Sequence, residues 1–134
     1  MTTEIQRICD GKIELAYVVP VGFVPDKTTF LTPDHFRQQL GFIVYGAGTE
    51  IPRHKHIPIE RNLFGTSEVI LVKSGRCIAD IYNIASELVA SIELQAGDTI
   101  VLAEGGHGFR VLEDTVLMEV KQGPYSSKVE KERF

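Results

Sequence analysis

Short runs of β-branched and other apolar residues alternate with turn residues along most of the chain. The runs predict strands over 12–19, 41–47, 49–56, 68–73, 76–83, 88–94, 99–102, 107–112 and 115–121. Turn residues separate them, as at Ser74-Gly75, Ala96-Gly97-Asp98 and Glu113-Asp114. Many short strands with frequent turns are typical of an antiparallel sandwich or barrel, so the pattern predicts an all-β fold.

One segment favours a helix instead. Thr32 is a good N-cap residue, and Pro33 suits the first helical position, so we expect a short helix over 33–40 that Gly41 ends. Phe36 and Leu40 lie four residues apart and would form its buried stripe.

Composition narrows the function classes. The chain has 134 residues with 43% hydrophobic content, which suits one domain with a single core. A net charge of −4 argues against a nucleic-acid or anionic-membrane partner, since both favour basic surfaces. We see no apolar run near the ~18 residues that cross a bilayer and no signal peptide, so we expect a cytoplasmic protein. Cys9 and Cys77 provide no disulfide framework.

A His-X-His sequence carries the strongest chemical signal. On an extended strand, residues i and i+2 point the same way, with Cα atoms ~6.5–7 Å apart. His54 and His56 would therefore aim two imidazoles at one point, as two corners of a metal coordination sphere. His107 follows in a second, glycine-rich segment, whereas His35 on the predicted helix is expected at the surface.

The spacing of these residues resembles the two signature motifs of the cupin superfamily, G(X)5HXH(X)3–4E(X)6G and G(X)5PXG(X)2H(X)3N. The pattern runs from Gly48 through His54 and His56, then from Glu68 to Gly75, and ends at His107. The resemblance covers about residues 41–121 and implies a small double-stranded β-helix, the jelly-roll or cupin barrel, within a single domain of residues 1–134. It also implies that His54, His56, Glu68 and His107 bind a divalent metal inside that barrel.

Three departures from the cupin pattern affect the site. Eleven residues separate His56 from Glu68, so a loop over 57–67 leaves the barrel. Glu60 has the family spacing from His56, but we prefer Glu68 as the ligand because it begins a strand and shares the face of Ile70 and Val72. In the second motif Ala103 replaces the usual proline, His107 comes one residue early after Gly105, and the asparagine position is apolar.

The surroundings of His107 are expected to be apolar. A hairpin through Glu113-Asp114 would pair His107 with Val120, Phe109 with Met118 and Val111 with Val116, all on one face. Phe109 and Met118 would then line a substrate pocket, while Glu119, Lys121 and Arg110 would face outward. A buried imidazole without a partner costs ~1–3 kcal/mol, and metal binding by the whole set removes that cost.

The loop over 57–67 is a candidate rim of the pocket. Arg61 could bind a carboxylate or phosphate, and Glu60 could act as a general acid or base; alternatively, the two simply pair at the surface. Apolar Val69 and Leu71 on the outer face suggest a cover from the N-terminal strand or a second subunit, and the resemblance favours a homodimer. The polar tail over 123–134 is expected to pack across the body or a partner, or to fray.

Several functions fit these expectations. Three imidazoles and a carboxylate suit Zn, Fe(II), Mn, Ni or Co, and open positions would suit catalysis. The resemblance implies an enzyme acting on a small polar metabolite, either as a sugar isomerase or epimerase or as an Fe(II) dioxygenase. The alternatives are a non-catalytic ligand-binding or regulatory module, and an interaction protein whose metal is structural.

Overall fold

The computed structural model describes residues 2–123 and 131–134, and within these ranges all regular secondary structure is β-strand. The strands are β1 (Gln6–Asp10), β2 (Ile13–Val19), β3 (Thr29–Phe30), β4 (Gly41–Phe42), β5 (Glu68–Ser74), β6 (Arg76–Tyr82), β7 (Leu88–Gln95), β8 (Thr99–Leu102), β9 (Gly106–Val111) and β10 (Val116–Lys121). Seven of the nine predicted strands are confirmed to within one residue at each end; β1 and β3 were not predicted. This part of the chain contains no helix long and apolar enough to span a membrane.

The chain divides into two compact units. Unit 1 comprises Met1–Val24 and Thr66–Phe134, and unit 2 comprises Pro25–Gly65. Unit 1 contains two antiparallel sheets, one of five strands in the order β1-β2-β8-β5-β10 and one of three strands in the order β7-β6-β9. Unit 2 contains the short β3–β4 pair. The all-β prediction is therefore confirmed for the described residues.

The two sheets of unit 1 share one hydrophobic core. The five-stranded sheet contributes Ile70, Val72 and Ile100, and the three-stranded sheet contributes Ala79 and Ile81. Each of these side chains is at most 3% exposed. Strand residues alternate between the two faces of a sheet, so every second side chain along these strands points inward. These inward rows of side chains continue from the core to the rim of the sandwich.

The inward row of β5 runs from Val72 through Ile70 to Glu68, as predicted. In β10, Glu119 pairs with Ile70 and Lys121 pairs with Glu68. Directly opposed residues share a face, so Glu119 and Lys121 lie on the face of Glu68. The prediction that they face outward was wrong, because the register with β5, not the hairpin assumed from the sequence, sets their direction.

The predicted β9–β10 hairpin does not form. The turn at Glu113-Asp114 connects β9 and β10, but these strands belong to different sheets. In β9, His107 pairs with Ile81 and Phe109 with Ala79, both on β6. Met118, which was expected beside Phe109, lies on the opposite face of its strand from Glu119 and is 48% exposed.

The predicted helix over 33–40 is also wrong. The backbone N–H of Leu31 donates to the carbonyl of Leu40 at 2.8 Å, closing the loop between β3 and β4. A helix of that length would hold its ends about 10 Å apart. Thr32 Oγ1 accepts the N–H of Leu40 at 3.0 Å instead of capping a helix. Only one turn forms, in which the Phe36 N–H donates to the Pro33 carbonyl.

The segment predicted as a strand over 49–56 has no strand structure. Pro52, in the middle of this stretch, and Pro58, just beyond it, lack the N–H that a ladder requires, which disfavours pairing here. The preceding turn is present, with Gly48 at φ +85° and the Thr49 N–H donating to the Gly46 carbonyl.

Gly75 passes the chain from β5 in one sheet to β6 in the other. Its φ is +89°, and a Cβ there would lie 2.2 Å from the Asp114 carbonyl oxygen. Gly11 also has positive φ, at +58°, but a Cβ there would meet nothing within 4 Å. A comparison of substitutions at the two glycines therefore distinguishes the cost of a positive φ from the cost of a steric clash.

We predict that Gly75→Ala lowers the free energy of unfolding by about 3 kcal/mol, whereas Gly11→Ala lowers it by about 1 kcal/mol. Both values come from urea unfolding followed by circular dichroism. Equal losses in the two variants would show that the contact with Asp114 does not matter.

Asp80 ties β9 to β6 on the outer face of the three-stranded sheet. Arg110 donates to its carboxylate through two nitrogens, each at 2.8 Å, and Ser91 Oγ donates at 2.6 Å. These hydrogen bonds, with Arg110 as the largest cause, lower the pKa of Asp80 from its ordinary 3.8 to about 2. The ionised form is therefore favoured in the folded state.

A lowered folded pKa gives stability that is present above the unfolded pKa and lost as the pH falls through the folded one. We expect Asp80→Asn to lower the Tm at pH 7, and we expect this deficit to shrink between pH 4 and about 2. Thermal unfolding across that range measures it, with Asp10→Asn at an exposed position as control. A deficit that does not change with pH would contradict the assignment.

Candidate functional site

Glu68 and His107 meet at the rim between the two sheets of unit 1. Glu68 begins β5 and His107 is the second residue of β9. Glu68 Oε2 lies 3.2 Å from His107 Nε2, with the side chains 12% and 32% exposed, respectively. Two of the four metal ligands predicted from the sequence are thus brought together from different sheets.

The local sequence explains this meeting. In β5 the inward row is apolar at Val72 and Ile70 and becomes acidic at Glu68, where the strand begins. In β9 the row that contains Phe109 reaches His107 near the strand start, and their rings lie 5.9 Å apart between centroids. The dry core therefore ends at a polar pair that solvent can reach.

Glu68 also faces a second carboxyl group. The hydrogen bond from His107 is the main cause that lowers the pKa of Glu68, against the opposing effect of burial. Burial, followed by the charge of Glu68, raises the pKa of Glu119. Hydrogen bonding between the two carboxyl groups adds to both shifts, lowering the pKa of Glu68 and raising that of Glu119. Two neighbouring carboxyl groups whose pKa values are shifted in opposite directions are typical of acid–base pairs.

The Glu68–His107 pair has the donor chemistry that a divalent cation requires. Two ligands about 2.1 Å from one cation, at a right angle, lie about 3 Å from each other, close to the separation found here. Within residues 2–123 and 131–134, no three or more His, Cys, Asp or Glu side chains form a group that could hold a metal. In unit 1, Glu68 and His107 therefore fit two coordination positions of a metal site.

His54 and His56 belong to unit 2, where both are exposed and outside any strand. Their rings nevertheless lie together, 5.4 Å apart between centroids. His54 Nδ1 is 2.9 Å from the Pro52 carbonyl, a contact that assigns the proton to Nδ1 and leaves Nε2 available to a metal. The two rings of the His-X-His sequence thus lie next to each other. That His54, His56, Glu68 and His107 together bind one metal remains a prediction.

The other predicted site residues divide between the units. Glu60 and Arg61 are exposed in unit 2. Phe109 is partly buried against the core beside His107, whereas Met118 is on the opposite face of its sheet from Glu68. Within unit 1, the structure thus places Phe109 beside the Glu68–His107 pair and Met118 away from it.

We compared the chain with protein-family models, curated proteins and solved structures. None of them matches. The fold therefore rests on the strand pairings themselves, and the cupin resemblance rests on the motif residues that carry it.

Glu68 and His107 open onto a cavity of about 760 Å³ within unit 1. Tyr82, from the end of β6, and Gly106 form part of its wall, together with the C-terminal segment Lys131–Phe134. The sequence indicated only a polar tail there, and residues 124–130 of that tail lie outside the described residues. Neither the segment nor Glu119 was identified, because both come to the site through pairings distant in the sequence.

We predict that His107→Ala raises the pKa of Glu68, because the hydrogen bond that lowers it is lost while burial still raises it. Carboxyl ¹³C NMR titration measures the shift, and His35→Ala serves as the control. A pKa that stays the same or falls in His107→Ala would show that His107 does not control Glu68.

Proposed function

We propose that the protein is a cupin-like, divalent-metal-binding enzyme that acts on a small polar metabolite in the cavity of unit 1. The single observation that carries this proposal is the 3.2 Å contact between Glu68 Oε2 and His107 Nε2 at the cavity wall. The sequence motifs select the same two residues independently of the fold. A jelly-roll double-stranded β-helix is part of the proposal.

Glu68 and His107 would be the ligands that unit 1 contributes, and His54 and His56 are the further ligands that the motif predicts. When bound, the cation would supply Lewis-acid polarisation of a substrate oxygen. The chain's own groups provide the rest. Glu119, with its raised pKa, can exchange a proton with a substrate next to Glu68.

The cavity suits a ligand that has polar groups and also a surface that can contact aromatic rings. Glu68 and His107 provide hydrogen-bonding groups, while Tyr82 and Phe134 provide ring surfaces. Such a lining fits a sugar or a small carboxylic acid. Isomerisation or epimerisation, and Fe(II)-dependent oxygenation, are the reaction classes proposed on the resemblance.

A second candidate is a non-catalytic module that binds the same class of ligand. The observation that favours it is that Glu68 and His107 already satisfy each other's hydrogen-bonding needs without a cation. No buried side-chain nitrogen or oxygen in the described part of the chain lacks a partner. Folding of unit 1 therefore gives no polar group that a metal must neutralise.

Metal titration tests the proposal. We expect the wild-type protein to bind one divalent ion per chain, measured by calorimetry with Zn²⁺, Mn²⁺ and Ni²⁺ and by the visible spectrum of the Co²⁺ form. Glu68→Gln and His107→Ala should each weaken binding about tenfold or more, because each removes a ligand. His54→Ala and His56→Ala should do the same, and His35→Ala should not.

The variants separate the alternatives. If Glu68→Gln and His107→Ala lose metal while His54→Ala and His56→Ala keep it, the metal site belongs to unit 1 alone. If the wild-type protein binds none of these four ions, and no Fe²⁺ under anaerobic conditions, the metal-dependent enzyme is excluded and the binding module remains. Bound Co²⁺ whose spectrum does not respond to small anions would indicate a closed, structural site.

A further inference from the structure

The C-terminal segment Lys131–Phe134 forms one wall of the cavity that Glu68 and His107 open onto. The ring of Phe134 meets that of Tyr82 edge to face, with centroids 5.0 Å apart at 87°. The same ring lies over Gly106, where a Cβ would come within 2.8 Å of two ring carbons. Phe134 is thus held at the cavity, next to the residue that precedes His107.

A residue other than glycine at position 106 would displace this ring. Gly106 has no positive φ that demands glycine, so the close approach of Phe134 is the constraint on its side chain. Edge-to-face aromatic pairs contribute about 0.5–1.5 kcal/mol beyond the area they bury. This contact therefore favours the segment in its position across the cavity without fixing it there permanently.

The segment places two cations, Lys131 and Arg133, on the cavity wall. Three carboxylates, those of Glu68, Glu104 and Glu132, also line the cavity. Glu68 accepts a hydrogen bond from His107, and Glu104 has an interaction of its own. The positive charge of Lys131 reaches the carboxyl cluster, where it opposes the rise in the pKa of Glu119. Arg133 forms no ion pair among the residues that the structure describes, so its guanidinium is available to a ligand.

We propose that the segment Lys131–Phe134 is part of the ligand site, closing the cavity over His107 and presenting Arg133 to a carboxylate or phosphate group of the ligand. A guanidinium binds either anion through two parallel hydrogen bonds, so the shared chemistry is that of a small oxyanion. The inference rests on the proposed function only in naming the ligand class of the same cavity. It does not depend on a metal.

Chemical modification of His107 tests the closing role. Diethyl pyrocarbonate acylates accessible imidazoles, and peptide mass spectrometry follows each histidine separately, with His35 as an internal standard. We expect Phe134→Ala to raise the relative rate at His107 about twofold, within the roughly threefold that full exposure of a side chain now 32% exposed allows. Gly106→Ala, which displaces the ring but keeps both cations, should act in the same direction. An unchanged rate in both variants would overturn the closing role.

Protection by anions tests the role of Arg133. In the wild-type protein, inorganic phosphate, malonate or both should slow acylation of His107, and the more protective anion identifies the ligand group. Protection is normalised to the rate of each variant without anion. Arg133→Gln should need about tenfold more anion for the same protection, since a charge-assisted hydrogen bond is lost. Glu132→Gln, the matched neutral change next to it, should not weaken protection.

The outcomes are distinct from those of the metal titration. If neither phosphate nor malonate protects the wild-type protein, or if Arg133→Gln is protected as well as wild type, the anion site is overturned. The assay uses metal-free protein, and Phe134→Ala and Arg133→Gln are also titrated with Zn²⁺. Normal metal binding without anion protection would refute this inference and leave the proposed function in place. Anion protection without metal binding would refute the metal-dependent function and leave this inference in place.

Discussion

The packing of the five-stranded sheet against the three-stranded sheet is the constraint on which the site depends. Each inner face is a set of rows with period two, and apolar side chains such as Val72 and Ile81 close the middle of the sandwich. At the rim the rows continue into Glu68 and His107, which approach within 3.2 Å. The same alternation that builds the core thus delivers two chemical groups to one point, without a loop that must be ordered separately.

Local pattern predicted most of this arrangement. The strand from Glu68 onward, its inward parity and the turn at Gly75 could be predicted because period-two alternation and glycine punctuation are local signals. The wrong predictions concern which strands pair with each other. The tight turn at Glu113-Asp114 suggested a hairpin, yet the two strands it connects join facing sheets, and this choice depends on β5 and β6, which lie far away in sequence.

The same reasoning explains the misplaced side chains. The direction of Glu119 follows from its register opposite Ile70, which no feature within β10 encodes. The helix expected after Thr32 lost to loop closure, because the hydrogen bond between Leu31 and Leu40 and the β3–β4 pair bring the segment's ends together. Phe134 reaches Tyr82 across a sequence separation that no periodic pattern spans.

The contact between Glu68 and His107 also relates folding to metal binding. The contact joins the same two atoms that a cation at the proposed site would join, so a proton and a metal would compete for one position there. The hydrogen bond from His107 to Glu68 already partners both groups within unit 1. A metal at the proposed site would therefore add to a unit that folds by its own packing, unlike the structural zinc of domains that unfold without it. The affinity of the proposed site for a metal would then fall as the pH falls, because the ligands regain their protons.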